Sequence, residues 1–337
     1  MSNIASPLKP RSILIATDFS EASEKALRHS LALARLCESR LCVAHIVSSL
    51  GITLAGPNAI AACEEAAERD AAALQASLVQ AGALTGIPHK AVVRRGELWP
   101  ELQQIIREES ANLLVLGTHG RQGIGKLFVG SIAEQIFRQA NCPVLTFGPH
   151  SHDLPWFETS YAHPTFLFAT DFGSASLGGL QTATAAANQF AAKLAFVSVV
   201  SAVPSHAGAS SQNWQENART KAFGRLSQIA DRAGLELRPE LYAEIESQRP
   251  VSEKILEIAE KLGARLIIVG LHHTAYAGLI SHLDLGTAYD VVCHAGCPVL
   301  TVQCSSVDDL RTQASGTTAS SRSDSDVTAI QGFGTSR

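Results

Sequence analysis

Leu113-Leu-Val-Leu-Gly117-Thr-His-Gly120-Arg-Gln-Gly-Ile-Gly-Lys-Leu-Phe-Val-Gly130-Ser131 decides the fold. A short apolar run ends in a glycine-spaced loop, and Ile132 to Ala140 follows with helical character. This is a strand, a phosphate-sized loop and the start of a helix. Glycines let backbone N–H groups come close to an anion, and a helix N-terminus at Gly130-Ser131 favours negative charge there. The stretch points to an α/β domain built to hold a nucleotide.

Working outward, the chain repeats itself. Ile13-Leu-Ile-Ala-Thr-Asp18-Phe-Ser20 recurs as Phe166-Leu-Phe-Ala-Thr-Asp171-Phe-Gly173, Leu113-Leu-Val-Leu-Gly117 as Leu266-Ile-Ile-Val-Gly270, and Cys142-Pro-Val-Leu-Thr146 as Cys297-Pro-Val-Leu-Thr301. Three matches in one order mean two copies of one domain. The second copy lacks the glycine loop. His273 falls opposite Gly120, the connection is two residues longer, and Leu285 faces Gly130 with Gly286-Thr287 one step out of register.

In the first copy, strand-like runs at 12–17, 41–47, 90–94, 113–117 and 144–147 alternate with helical patterns at 20–37, 58–84, 97–110 and 130–140. Alternation of this kind predicts a parallel sheet with helices on both faces. The second copy repeats it with strands near 165–170, 194–200, 236–242, 266–270 and 299–302. The expected organisation is an N-terminal arm (1–10), a nucleotide-competent domain (11–149), a linker (150–163), a second domain with a degenerate loop (164–304) and a Ser/Thr-rich disordered tail (305–337).

A chain of 337 residues is long enough for two such cores. A net charge of −4 gives no general attraction to nucleic acid or anionic lipid, and no apolar run approaches the length of a membrane span. The expectation is a soluble cytoplasmic protein, with no nucleic-acid or membrane partner. Seven scattered cysteines fit buried thiols in a reducing compartment.

In doubly wound sheets, ligands bind beyond the carboxyl ends of the strands, where strand order reverses. Asp18 and the Gly117 loop both fall there. Asp18-Phe-Ser-Glu21 also has the spacing of a capping box, so Asp18 either caps the next helix or meets the ligand. Asp171, kept in the copy without the loop, reads as a cap. Gly120 to Leu127 approximates the P-loop pattern, but Leu127 stands where a hydroxyl would reach magnesium. Backbone groups are therefore the first candidates for phosphate, and the side chains of Arg121 and Lys126 the second. The groups His150, His152, Asp153 and Cys293-His294-Ala-Gly-Cys297 lack the spacing of a metal site, and no nucleophile, base and acid set is visible, so no catalytic residue is assigned.

The strand ending in Ala-Thr-Asp18, the segment Val-Leu-Gly-Thr-His-Gly-Arg121, the spacing Gly117-x2-Gly120-x9-Gly130-Ser131 and the closing Cys-Pro-Val-Leu together resemble the universal stress protein family in tandem form. The resemblance covers Arg11 to Gly148 and again about Pro164 to Gln303. It implies two Rossmann-like domains of the adenine nucleotide α-hydrolase-like type, each a five-stranded parallel sheet of order 3-2-1-4-5, and ATP with Mg2+ in the first. Ala16, Thr17, Asp18 and Ile46 would then meet adenine and ribose. Gly117, Gly120, Gly130, Ser131 and Ile132 would cradle the phosphates beside Arg121 and Lys126, with Leu116 and His119 as further cofactor-binding positions. The resemblance also implies pairing, either of two chains as a homodimer or of domain 1 with domain 2 through the strands ending in Thr146 and Thr301. The functional expectation is an ATP-binding stress-response protein. The alternatives are a slow ATPase or autophosphorylating enzyme, and an interaction module that binds no nucleotide.

Overall fold

The computed structural model describes residues 9–48, 61–79 in part, 82–118, 135–148 except 138, 150–152, 155–157, 163–201, 211–246, 249–272 and 285–304. The first half contains β1 (Ser12–Ala16), α1 (Glu21–Cys37), β2 (Arg40–Ser48), β3 (His89–Gly96), α2 (Leu98–Glu108), β4 (Leu113–Gly117) and β5 (Val144–Phe147). The second contains β6 (Thr165–Ala169), α3 (Ser174–Gln189), β7 (Lys193–Ser201), α4 (Ser211–Arg232), β8 (Glu240–Glu246), α5 (Val251–Lys261), β9 (Leu266–His272), α6 (Leu285–His294) and β10 (Val299–Cys304).

The strands lie in the order β3-β2-β1-β4-β5-β10-β9-β6-β7-β8. Each half has the expected order 3-2-1-4-5 and is parallel throughout. The two five-stranded sheets are joined into one of ten strands. β5 and β10 pair antiparallel, with Thr146 opposite Val299, Leu145 opposite Leu300 and Val144 opposite Thr301. The Thr146 hydroxyl donates to the Val299 carbonyl at 3.0 Å and the Thr301 hydroxyl to the Val144 carbonyl at 3.3 Å, a reciprocal pair related by the twofold of the joint. Pairing between the domains therefore occurs within one chain, through the strands ending in Thr146 and Thr301 that the family resemblance implied.

Strand alternation divides the apolar residues between two faces. Ile13, Ile15, Phe147, Phe166, Phe168 and Leu300 belong to a cluster that runs under both halves on the side of α1 and α3. On the other face each half keeps its own core: Leu14, Leu102, Ile105 and Leu114 in the first, Leu167, Ile258, Ile267 and Val291 in the second. The helix α1 begins where Ser20 accepts the Ser23 N–H on its hydroxyl (3.2 Å), a cap of about 1 kcal/mol.

Two local expectations shift. The strand expected over 236–242 runs instead from Glu240 to Glu246. Pro239 has no N–H for a ladder, and the Glu236 N–H is taken by the Asn188 side chain at 3.2 Å. The connection between the halves is pinned. Trp156 is 1 % exposed and packs against Phe157, Phe166 and Phe190, with ring centroids 5.1, 5.6 and 5.0 Å away. The buried Ser151 hydroxyl accepts the Gly148 N–H, and the His152 carbonyl accepts from His29 Nε2 at 3.1 Å. Asp153 lies outside the described residues, and among the described residues no group of three His, Cys, Asp or Glu side chains is placed to hold a metal ion.

Burial sets the chemistry of the cysteines. Loss of water around the thiols raises Cys42 and Cys142 to about 11 and Cys297 to about 12, Glu109 adding to the effect at Cys42. A proton held more tightly in the folded state than at the ordinary value of 9.0 stabilises the fold below pH 9, and that stability is lost as pH rises toward 11. Denaturation midpoints are therefore expected to fall across this window. The fall should be shallower in Cys142→Ala, and an equal slope in the variant would remove Cys142 from the account.

Candidate functional site

Three of the residues expected at the ligand come together at one end of the first half. Ala16 pairs with Leu116 across β1 and β4, and Ile46 lies on β2 two residues beyond Ala44, the other partner of Ala16. Side chains two apart on a strand share a face. Ala16, Ile46 and Leu116 accordingly pack as half-buried residues along the rim of one core, forming an apolar shelf at the carboxyl ends of three adjacent strands. This is where the strand order reverses, since the chain leaves β1 toward β2 on one side and β4 lies on the other.

Thr17, Asp18 and Phe19 close the end of the shelf. The Thr17 hydroxyl accepts the Phe19 N–H at 3.1 Å, and Asp18 Oδ1 accepts the Ser20 N–H at 3.1 Å. Two consecutive side-chain turns thus hold Phe19 at φ 61°, a left-handed conformation that a bulky residue rarely adopts. His45 supports the turn from β2. Its Nδ1 donates to the Thr17 carbonyl at 2.7 Å, and its ring lies 4.7 Å from that of Phe19. Phe19, Val43, His45 and Leu84, with Thr17, also line a narrow pocket.

This geometry corrects the capping reading. Ser20 is the cap of α1, and Asp18 makes an Asx turn two residues earlier. The second half repeats the device: the Thr170 hydroxyl accepts the Phe172 N–H (3.0 Å), Asp171 Oδ1 accepts the Gly173 N–H (2.8 Å), and Phe172 stands at φ 64°. Gly173 occupies the cap position of α3, and Asp171 closes the turn before it. The recurring Thr-Asp-Phe is what shapes this turn, which explains an aspartate in both copies. Phe19 was not singled out in the sequence, although the repeat of Phe at the same place was a signal for it.

Gly117 is explained by packing. A Cβ there would lie 2.7 Å from the Ala22 carbonyl carbon and the Ser23 nitrogen, so only glycine lets β4 pass beneath the first turn of α1. His119, Gly120, Arg121, Lys126, Gly130, Ser131 and Ile132 lie outside the described residues.

The two halves differ at the shelf. The counterparts of Ala16, Ile46 and Leu116 are Ala169, Val199 and Val269, which are 1 %, 9 % and 0 % exposed and buried in the second core. β9 continues two residues past Gly270, pairing Leu271 with Gln303 and His272 with Cys304, and Leu271 joins the same buried cluster. The shelf is open in the first half and covered in the second.

Comparison with known proteins bears on both halves. The model of the universal stress protein family matches residues 10–147 and again 164–303. The chain belongs to the universal stress protein family. A universal stress protein of Thermus aquaticus is 32% identical over 136 residues, which cover 40% of this chain and 96% of that protein. One of Methanocaldococcus jannaschii is 26% identical over 160 residues, covering 40% of this chain and 93% of its own length. Each of these relatives thus corresponds to about one domain. The crystal structure of a universal stress protein from Archaeoglobus fulgidus covers 88% of this chain and 97% of its own at 20% identity, with a TM-score of 0.61, and so shares the tandem fold. In this universal stress protein, no helix among the described residues is long and apolar enough to cross a membrane.

Proposed function

We propose that this universal stress protein binds ATP in its first domain and serves as a stress-response regulator in the cytoplasm. The observation that carries the reading is the open shelf of Ala16, Ile46 and Leu116 beside Asp18, whose equivalent in the second domain is buried. A flat, largely apolar base fits a half-buried shelf of this kind. A carboxylate at its edge accepts hydrogen bonds from an amino or ribose hydroxyl group. The sequence spacing of Gly120 and Gly130, followed by Ser131, is the kind of pattern that would supply backbone donors to phosphates. ATP would bring its divalent ion, Mg2+, with the triphosphate. The second domain, with a buried shelf and a longer β9, is read as the partner of the binding domain and not as a second site.

Denaturing freshly purified protein and measuring the nucleotide released, then titrating Mg-ATP into nucleotide-free protein, tests this. One ATP per chain is expected, with at least a tenfold weaker affinity in Gly130→Val, where a branched side chain obstructs the backbone approach. Two ATP per chain would mean that the second shelf opens. An absence of binding would leave an interaction module as the better reading.

A further inference from the structure

The ten-stranded sheet ends in two strands of opposite charge. Among the described residues β3 closes one edge and β8 the other, with no further strand beside either. The repeat makes their positions equivalent. Lys90 pairs with Cys42 and Glu240 with Ala195, and Cys42 and Ala195 each stand two residues after the start of pairing with β1 or β6, at Arg40 and Lys193. Lys90 and Arg94 on β3 thus correspond to Glu240 and Glu244 on β8. An end strand presents backbone groups that another strand can pair with, and charge on it decides which strand is accepted.

A second copy displaced along the sheet brings its β8 beside the β3 of the first. The joint of β5 and β10 reverses strand direction between the halves, so these two run antiparallel. Backbone alternation then restricts the register. The Ala243 carbonyl accepts from Arg219 Nε at 3.1 Å and so points out of the sheet, and Leu241 points with it. The Pro88 carbonyl accepts the Leu41 N–H, so Pro88 turns toward β2 while Ala91 and Val93 turn outward. Outward groups meet when Ala91 lies opposite Ala243 and Val93 opposite Leu241. The intervening pairs are then Lys90 with Glu244, Val92 with Tyr242 and Arg94 with Glu240. Val92 packs on the core of the first domain and Tyr242 on that of the second, on the same face of the sheet, so all six side chains stand on one side. Pro239, opposite Arg95, has no N–H and ends the ladder. A slip of two residues one way sets Arg94 against Arg238, and the other way leaves only Lys90 facing a carboxylate, that of Glu246. Pairing β3 with β3, or β8 with β8, about the same centres would oppose Lys90 to Arg94 or Glu240 to Glu244, which is destabilising.

We infer that this chain associates with a second copy of itself head to tail, β3 of one against β8 of the next, with Lys90 opposite Glu244 and Arg94 opposite Glu240. The contact is independent of nucleotide binding. It is heterologous, leaving an unused β3 and an unused β8 at the two ends, so it grows and does not close. In the single chain the charges have local partners: Glu109 lies 2.5 Å from Lys90, Glu108 pairs with Arg94, and Arg219 lies 2.9 Å from Glu244. Pairs at the surface contribute little. The largely exposed Arg219 side chain can yield the Ala243 carbonyl to the Ala91 N–H of the second copy. Association is therefore an exchange of partners, dependent on concentration and weakened by salt.

Sedimentation velocity over a concentration series tests this. The wild type should grow in mass with concentration and return to the single chain at high salt. Reversing the β3 charges (Lys90→Glu with Arg94→Glu), or the β8 charges (Glu240→Lys with Glu244→Lys), should weaken association about tenfold. An equimolar mixture of the two variants should regain it, because each presents the charge that the other's edge requires. A single-chain mass for wild type at every concentration, a closed dimer that grows no further, or a mass unaffected by either reversal overturns the inference. So does a mixture no larger than its components. Hydrogen exchange of the wild type needs no variant: His89–Gly96 and Glu240–Glu246 should both exchange more slowly in concentrated than in dilute protein. Association without protection of both strands overturns the surface assigned.

Discussion

Gly117→Val is expected to lower the stability of the first domain by about 3 kcal/mol, the upper range for forcing extra atoms into a packed site. The contacts that an added Cβ would make are the Ala22 carbonyl carbon and Ser23 nitrogen at 2.7 Å and the Ala22 oxygen at 3.0 Å. All are backbone atoms, so no side chain can swing aside, and the first turn of α1 must move away from the sheet. That turn carries Ser23, whose hydroxyl accepts from Thr17 at 3.1 Å and whose N–H is held by Ser20. Displacing it also disturbs the Thr17-Asp18-Phe19 turn. Urea denaturation should show the loss as an earlier transition. A midpoint equal to wild type would mean that β4 and α1 separate without cost, against the close approach described here.

Trp156→Ala is the second large effect, expected at about 3–5 kcal/mol, as for truncation of a buried large aromatic residue. Trp156 fills the space between Phe157, Phe166 and Phe190, and Phe157 stacks on Phe190 at 5.5 Å beside it. Losing it leaves a cavity under β6 and frees the connection between the domains. Limited proteolysis should then cut near residues 155–157 in the variant well before wild type. Trp156→Phe, which keeps an aromatic ring in place, should recover most of the resistance. Cleavage at the same rate in Trp156→Ala and wild type would show that the connection is held by its hydrogen bonds alone.

Much of the fold was legible because it is written in local patterns. Alternating apolar strands and helices give the parallel halves, and the triple repeat gives their number. The strands of the joint came from the family resemblance and not from the residues themselves, and the antiparallel pairing of β5 with β10 agrees with it. Other features depend on tertiary contacts that spacing does not carry. The turn at Asp18 looked like a capping box because Glu21 stands three residues on. The left-handed Phe19 moves the cap to Ser20 and leaves the carboxylate to fix the turn. Gly117 read as part of a phosphate loop, whereas its constraint comes from α1 passing overhead. The linker between the halves was read from its polar composition alone, and that composition does not show how Trp156 is buried against Phe157, Phe166 and Phe190. At the site, Ala16, Ile46 and Leu116 were named from a family pattern. That their shelf is half-buried in one half and fully buried in the other depends on tertiary packing, which no motif records.

The antiparallel joint of β5 and β10 has a consequence for composition. Were the halves separate chains, mixing would yield like pairs and unlike pairs in proportions set by expression and dilution. Covalent linkage makes the encounter intramolecular, with an effective concentration on the order of millimolar for a short connection. Every molecule therefore contains one domain of each kind, in a fixed ratio of one to one, however little of the protein a cell makes.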